Sequence, residues 1–152
     1  MKLFAFDYAS GGTALPDSLR HQGQMMLRAL LADLGELPGV ELITLGEQAG
    51  SFRRRFDACV QAADAVWPLA PEAGGLLERL SRQVLRSERI LLGSKPNALR
   101  VAGSKLRTAR VLARAGVAVA ATYSPDQALP PIGGAWVVKP DDGAGCMNTR
   151  IF

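Results

Sequence analysis

Short apolar segments alternate with longer amphipathic segments along the first 94 residues. Four short segments have the composition of buried strands: KLFAFDY (2–8), VELITL (40–45), DAVWPLA (64–70) and RILLGS (89–94). Three segments between them predict helices: Pro16 to Gly35, SFRRRFDACVQA (51–62) with Ser51 as N-cap, and PEAGGLLERLSRQVLRS (71–87). This β-α alternation favours an α/β fold, with a parallel sheet flanked by helices.

Two of the predicted helices have apolar residues at helical spacing, which are expected to face the sheet. These residues are Leu19, Met26, Leu27, Leu30, Leu31 and Leu34 in the first helix, and Leu76, Leu77, Leu80 and Val84 in the third. In such sheets ligands collect at the carboxyl ends of the strands. The segments that follow the predicted strands are therefore candidate binding loops.

The pattern changes after residue 95, which predicts one α/β domain over 1–95 and a second unit over 96–152. Two short helices are expected first, the second with Ser104 as N-cap and Gly116 just beyond its end. A loop rich in proline and glycine (124–134) leads to the predicted strands AWVVKP and NTRIF, which form an antiparallel hairpin. Because the chain stops inside the last predicted strand, the second unit is expected to be incomplete.

Composition narrows the class of protein. The chain is 48% hydrophobic and 21% charged, as in soluble globular proteins. No apolar run approaches the roughly 20 residues of a membrane span, and the N-terminal run reaches Asp7 too early for a signal peptide, which predicts a cytoplasmic protein. Cys59 and Cys146 are expected to be free thiols. His21 is the one histidine and is expected on a helix surface, which argues against histidine-based metal sites.

Positive charge is concentrated in the segment from Arg89 to Tyr123, which has seven basic residues and no acidic one. The segment fits either an ordinary solvated helix surface or a basic face for an anionic partner. A non-catalytic α/β binding module is therefore one hypothesis. Nucleic acid is not the expected partner, because residues 89–122 contain no aromatic side chain on which a base could stack.

The sequence VVKPDDGAGC (137–146) places a lysine after two β-branched residues and before a loop with two glycines. Two readings are open: a plain hairpin with an exposed lysine, or a grip for phosphate formed by Lys139 and the backbone N–H groups of the loop. Lys105 lies in the first turn of a predicted helix, where the positive end of the helix favours anions. No Walker A pattern and no G-x-G-x-x-G pattern is present.

The segments SKLRTARVLARAGVAV and WVVKPDDGAGC, in this order after the β-α layers, resemble the ATP-grasp superfamily. The first 95 residues then look like the pre-ATP-grasp domain of those enzymes. FAFDYASGG and KPDDGAGC look most like the tyramine–glutamate ligase branch of methanofuran biosynthesis. A stand-alone flavodoxin-like domain is a further alternative, but it leaves residues 124–152 unexplained.

The resemblance implies an ATP-dependent carboxylate–amine ligase that works through an acyl phosphate. It assigns Lys105 and Lys139 to the phosphates, and it places the loop Asp142, Gly143, Ala144, Gly145 and Cys146 over the triphosphate. The Mg²⁺ ligands of the family lie downstream of this chain, so the 152 residues alone are expected to be inactive. Asp141 and Asp142 are expected to shape a turn, and Cys146 to line the loop. No catalytic residue is identified.

The loop YASGGT (8–13) follows the first predicted strand. It fits either a tight turn or, as the resemblance implies, a contact with the carboxylate substrate through Tyr8, Ser10, Gly11 and Gly12, while Asp7 is expected to be structural. The partners implied are a small-molecule carboxylate and an amine of unknown identity, with no nucleic acid and no membrane. The sequence leaves the oligomeric state open, a homodimer included. Residues 141–147 are expected to be less ordered than the strand 135–139.

Overall fold

A computed structural model describes residues 1–11, 17–46, 50–143, 146 and 148–152. The strands are β1 (Lys2–Asp7), β2 (Glu41–Ile43), β3 (Ala65–Leu69), β4 (Ile90–Leu91), β5 (Val137–Val138) and β6 (Arg150–Ile151). The helices are α1 (Tyr8–Gly11), α2 (Asp17–Gly35), α3 (Phe52–Ala62), α4 (Leu76–Arg86), α5 (Pro96–Ala102) and α6 (Lys105–Arg114), and a 3-10 turn at Ala73–Gly75 precedes α4.

The first four strands form one parallel sheet in the order β2-β1-β3-β4. In this register Phe4 lies beside Ile43 of β2 and Val66 of β3. The parallel α/β architecture expected from the β-α alternation is confirmed. Strands β5 and β6 pair antiparallel in a separate two-stranded sheet, as the hairpin prediction required.

Strand β1 is buried on both faces, and its alternating side chains enter two different cores. Phe4 and Phe6 pack with residues of β3, α3 and α4 on one face. Leu3 and Ala5 pack with Leu34 of α2 on the other. Helices therefore cover both faces of the sheet.

The helix ends follow the predicted caps. The Ser51 hydroxyl accepts a hydrogen bond from the backbone N–H of Arg54, and the Ser104 hydroxyl accepts one from that of Arg107. Gly116 follows α6 with a φ of 76°, a conformation that glycine adopts without steric cost.

Several local predictions were wrong. Tyr8–Gly11, expected to be a loop, is a helical turn, because the Asp7 carboxylate accepts the N–H of Ser10 as an N-cap does. Met26, expected to face the sheet, is 50% exposed. Strand β5 ends at Val138, so Lys139 is the first residue after the strand and not a part of it.

Pro68 lies inside β3, not at its end. Proline is tolerated in a strand where its missing N–H would face an unpaired edge. Strand β4 pairs only with Ala65 and Val66, so β3 has an open edge at Pro68.

The second unit is thinly packed in the described part of the chain. Helix α5 buries Pro96 and Leu99 and packs against α4, and α6 packs against α5. Beyond Leu99, no described hydrophobic side chain is buried. Tyr123 and Trp136 contact each other edge to face, with ring centroids 5.8 Å apart. The domain boundary near residue 95 stays a prediction.

Leu34 and Met26 of α2 were both expected to face the sheet, but only Leu34 is buried. Leu34→Ala should lower the free energy of unfolding by about 2–5 kcal/mol, because Leu34 is 7% exposed inside a core. Met26→Ala should change it by about 0.5 kcal/mol or less, because the side chain is exposed. Urea unfolding followed by circular dichroism measures both, and equal losses would contradict the orientation of α2.

Candidate functional site

The N-terminus of α6 is closed by groups of the chain itself. The backbone N–H of Lys105 donates to the Asp141 carbonyl at 2.9 Å, and the N–H of Leu106 donates to Asp141 Oδ1 at 2.9 Å. The N–H of Arg107 donates to Ser104 Oγ at 3.1 Å. The first three N–H groups of the helix therefore already have acceptors. The anionic group at the positive end of this helix is the Asp141 carboxylate of the chain itself.

Hydrogen bonds to the charged form hold the pKa of Asp141 below its usual range. The N–H of Leu106 makes the largest contribution to this lowering of the pKa, and a hydrogen bond with Ser104 adds to it. Lys105 and Arg107 favour the carboxylate further by their positive charge. The turn role that the sequence suggested for Asp141 is thus a helix cap.

The Lys105 side chain lies against the same loop. Its Nζ donates to the carbonyl of Gly143 at 3.2 Å and is 3.4 Å from the carbonyl of Asp141. The structure therefore brings Lys105 together with the start of the predicted phosphate loop. In this arrangement the ammonium binds the loop's carbonyl oxygens.

Asp142 joins the loop to the first unit. Its Oδ2 accepts the backbone N–H of Gly74 at 3.0 Å, across 68 residues of sequence. Gly74 lies in the 3-10 turn ahead of α4, with a φ of 60°. The loop at 141–143 thus contacts both α6 and the segment that follows β3.

A cleft of about 380 Å³ lies at this junction of α4, α5, α6 and the loop. Its lining residues include Glu72, Glu78, Arg100, Arg107, Asp141 and Asp142. Glu78 contacts Arg82 at 2.7 Å and Arg100 at 3.6 Å, and its pKa is lowered, mainly by the hydrogen bond from Arg82. The cleft lining thus has four acidic and two basic side chains, an excess of negative charge that does not select an anion.

Of the remaining residues of the predicted phosphate site, the structure describes Lys139 and Cys146. Lys139 is exposed and makes no hydrogen bond or ion pair with the residues that the structure describes. Cys146 is exposed, with a φ of 55°. Ala144 and Gly145 lie outside the described residues, as does Met147, so the expected order of 141–147 is not tested.

The described residues do not fit a Mg²⁺ site. They contain no group of three or more histidine, cysteine, aspartate or glutamate side chains able to hold a metal ion. Asp141 and Asp142 each already accept a backbone N–H.

Within the residues that the structure describes, no helix is both long and apolar enough to cross a membrane.

The predicted substrate loop lies at the carboxyl end of β1. The backbone N–H of Ser10 donates to Asp7 Oδ1 at 2.7 Å, and its hydroxyl donates to the Asp7 carbonyl at 3.1 Å. The Tyr8 ring contacts Phe52 edge to face, with centroids 4.7 Å apart. The carbonyl of Gly11 accepts a hydrogen bond from Arg55. Gly12 lies outside the described residues.

Arg55 connects the loop after β1 to the loop after β2. One terminal nitrogen donates to the carbonyl of Gly11 at 2.7 Å, and the other donates to that of Gly46 at 3.0 Å. Arg55 was not predicted from the sequence. It could have been noticed as a charged residue on the side of α3 that is otherwise formed by Phe52, Phe56 and Cys59 and faces the core.

The comparisons with known proteins agree with this architecture. Residues 27–99 match the pre-ATP-grasp 3 domain family. Among solved structures, the chain is similar to a crystal structure from Archaeoglobus fulgidus described as an ATP-grasp superfamily protein, with 22% sequence identity and a TM-score of 0.68. The search of curated proteins gave no match.

The similarity covers 93% of this chain and 47% of the Archaeoglobus fulgidus chain, so the present chain spans about half the length of that protein. At this identity the likeness shows the fold, a parallel sheet flanked by helices. The tyramine–glutamate ligase branch is not confirmed by these comparisons.

Asp141→Asn should reveal the charge at the α6 cap, because asparagine keeps an oxygen for the N–H of Leu106. At pH 7 the free energy of unfolding should fall by about 0.3–1 kcal/mol, the usual value of an exposed charge at a helix end. The folded pKa is lowered below about 3.9. The stabilisation is therefore fully present above about pH 5, begins to fall near the unfolded pKa of about 3.9, and is lost as the pH falls through the lower folded pKa.

Urea unfolding of the parent and the variant at pH 7, 5 and 3 measures this difference. The difference between the two should become smaller from pH 5 to pH 3, whereas Asp33→Asn, which removes an exposed carboxylate of α2, should differ little from the parent at all three pH values. A difference between Asp141→Asn and the parent that is constant across the three pH values would contradict the cap.

Proposed function

We propose that this chain is the N-terminal portion of an ATP-dependent carboxylate–amine ligase. The observation that supports the proposal is the contact of Lys105 with the loop at 141–143, next to a domain with the pre-ATP-grasp fold. A cation at a helix start beside a glycine-containing loop provides groups suited to polyphosphate. The two segments that carried the sequence resemblance are neighbours in space.

The proposed reaction has two steps. The carboxylate oxygen of one substrate attacks the γ-phosphorus of ATP, which gives an acyl phosphate and releases ADP. The nitrogen of an amine then attacks the acyl carbon, inorganic phosphate leaves, and an amide forms after the nitrogen loses a proton. Transfer of a phosphoryl group depends mostly on positioning and on stabilisation of negative charge.

Lys105 and Lys139 would act through their ammonium groups. The N–H groups at the start of α6 are occupied by Asp141 and Ser104, so backbone contacts to phosphate would come from the loop. Lys105 would exchange the carbonyl oxygens of Asp141 and Gly143 for phosphate oxygens. Asp142, Gly143, Ala144, Gly145 and Cys146 would cover the triphosphate.

Mg²⁺ would be held by parts of the protein outside this chain, because the described residues offer no ligand set for it. When bound, the ion would neutralise charge on the phosphates. The chain's own contribution is the position of the two lysines and of the loop.

The exposed apolar residues of the second unit support a larger ATP-grasp domain around it. Val137 and Val138 of β5 are 54% and 55% exposed, and Ile151 of β6 is 74% exposed. A two-stranded hairpin on its own is marginally stable in water. We propose that further residues of an ATP-grasp domain cover this hairpin, in a cytoplasmic enzyme of the tyramine–glutamate ligase branch.

The second candidate is a binding module whose basic face meets an acidic partner. Arg107, Arg110 and Arg114 are exposed on α6, and none of them forms an ion pair with a described residue. A solvated helix has the same appearance. Loss of partner binding on reversal of these three charges, in a protein without ligase activity, would favour this candidate.

Lys139→Ala tests the phosphate grip in the native protein that contains this segment. Loss of a charge-assisted contact is worth about 1.5–3 kcal/mol. ATP affinity should therefore fall by roughly ten- to a hundredfold, since each 1.4 kcal/mol is a factor of ten. The fold should survive, because Lys139 is exposed.

Cys146→Ala is the matched control from the same loop. Turnover should stay within a few-fold of the parent, because no covalent step at sulfur is proposed. ATP affinity and amide formation measured on both variants decide the matter. If Cys146→Ala were inactive and Lys139→Ala were unaffected, the proposed phosphate contact of Lys139 would be contradicted, and a reaction at the Cys146 thiol would be indicated.

The 152-residue chain by itself should form no amide and hydrolyse no ATP. A native polypeptide that continues beyond it should do so, and should need Mg²⁺. Phosphate release and amide formation measured on both proteins, with an inactive variant as a contamination control, test this. Turnover by the short chain would contradict the proposed division of the site.

A further inference from the structure

A second cavity, of about 230 Å³, lies at the carboxyl ends of β1 and β2. It is lined by Phe6, Asp7, Ser10, Gly11, Leu27, Leu45 and Gly46. Ligands of parallel α/β sheets bind at this edge. The volume is below the roughly 300–1,000 Å³ of pockets for drug-sized molecules, so the cavity suits a small ligand.

Asp7 is the charged group of this lining, and it is buried to all but 6% of its surface. Its Oδ1 accepts the N–H of Ser10, while its Oδ2 accepts no hydrogen bond from the described residues. Nor does the carboxylate form an ion pair within that part of the chain. Buried charges are ordinarily paired, whereas one oxygen of Asp7 has no partner among the described residues, and Asp7 lies at the wall of a cavity.

No cation of the described lining offsets this charge. Arg55 reaches two lining residues, but its terminal nitrogens donate to the carbonyls of Gly11 and Gly46. The segments that follow the two loops, GTALP (12–16) and EQA (47–49), contain no lysine or arginine. A carboxylate ligand would therefore meet a like charge, whereas an ammonium ligand would meet the opposite one.

The rest of the lining is apolar or small. Phe6, Leu27 and Leu45 provide hydrophobic side chains, and Gly11 lies so close to Leu45 that an added methyl group would overlap it. The occupant that matches this wall has a hydrophobic body beside its charge.

Gly23 of α2 leaves room for the carboxylate. A methyl group at this position would overlap all three terminal atoms of Asp7. Glycine inside a helix is about 1 kcal/mol less favourable than alanine, so the helix is weakened at the point where it accommodates Asp7. The close fit holds the carboxylate in place.

We propose that this cavity binds a small primary ammonium carried on an apolar body, with Asp7 as the acceptor of its hydrogen bonds. The inference rests on the proposed ligase function and deepens it. The loop after β1 would then receive the amine substrate and not the carboxylate substrate. Asp7, which the sequence suggested was structural, would cap α1 through Oδ1 and accept hydrogen bonds from the ammonium through Oδ2.

Three probes of one shape test the charge preference on the 152-residue chain: benzylamine, benzyl alcohol and benzoate. Titrations at pH 7 and low salt, followed by ¹⁵N–¹H NMR, report the amides of 6–11 and 45–46. Benzylamine should shift these amides and bind at least tenfold more tightly than benzyl alcohol, and benzoate should leave them unchanged. Benzoate binding as tightly as benzylamine, or no binding of benzylamine, overturns the proposal.

Asp7→Asn removes the charge and keeps the shape, and it should weaken benzylamine binding at least tenfold. Asp33→Asn, with the same loss of charge on an exposed part of α2, should not. A folded Asp7→Asn that binds benzylamine as the parent does also overturns the proposal. If Asp7→Asn fails to fold, the three probes on the parent chain decide alone, since they need no variant.

Gly23→Ala provides a second variant with Asp7 intact. The added methyl should displace the carboxylate and lower benzylamine affinity at least fivefold, and a folded Gly23→Ala with parental affinity counts against the cavity. ATP-dependent amide formation by the longer native protein is measured separately. If benzylamine binds but the longer protein forms no amide, the ammonium site is supported and the ligase function is contradicted. If the longer protein forms the amide but benzoate binds in the cavity, the ligase function is supported and the ammonium site is contradicted.

Discussion

The pairing of β1 between β2 and β3 is the constraint on which the rest of this structure depends. Its residues from Leu3 to Asp7 are all buried, and alternate side chains reach the two layers of helices. A shift of one residue would exchange Phe4 and Phe6 with Leu3 and Ala5 and would disrupt both cores. The same register places Asp7 at the carboxyl edge, where the cavity opens.

Three acidic side chains help to organise the two candidate sites. Asp7 caps α1, Asp141 caps α6, and Asp142 holds the turn before α4. Each accepts a backbone N–H at the end of a helix or beside it, where the partial positive charge favours a carboxylate. A chain with net charge +4 thus uses acids for local order, and its basic residues remain largely at the surface.

The two cavities differ in how their charges are matched. In the cleft at α6, Glu78 contacts Arg82 and Arg100, while Asp141 and Asp142 accept backbone N–H groups. At the edge of β1, one oxygen of the buried Asp7 carboxylate has no partner among the described residues, and the terminal nitrogens of Arg55 donate to carbonyls. The smaller cavity therefore presents a single negative charge to a ligand, whereas the polyphosphate contacts proposed near the larger cleft come from the lysines and the loop.

The sequence by itself determined the order and type of the main elements. Short apolar segments with the composition of buried strands, helices with serine caps at Ser51 and Ser104, and the antiparallel hairpin were all predicted, because these depend on neighbours within a few residues. The sequence also indicated two places for a site: the carboxyl edge of the sheet, and Lys105 and Lys139 with the loop 142–146. The structure brings Lys105 to the start of that loop.

The tertiary structure decided which side chains are free to act. Met26 fits the helical stripe but is exposed, whereas Leu34 of the same stripe is buried. Lys139 lies beyond a strand of two residues, and the N–H groups of α6 are taken by an aspartate 35 residues away. Such contacts join segments that are distant along the chain, and local pattern contains no information on which donor meets which acceptor.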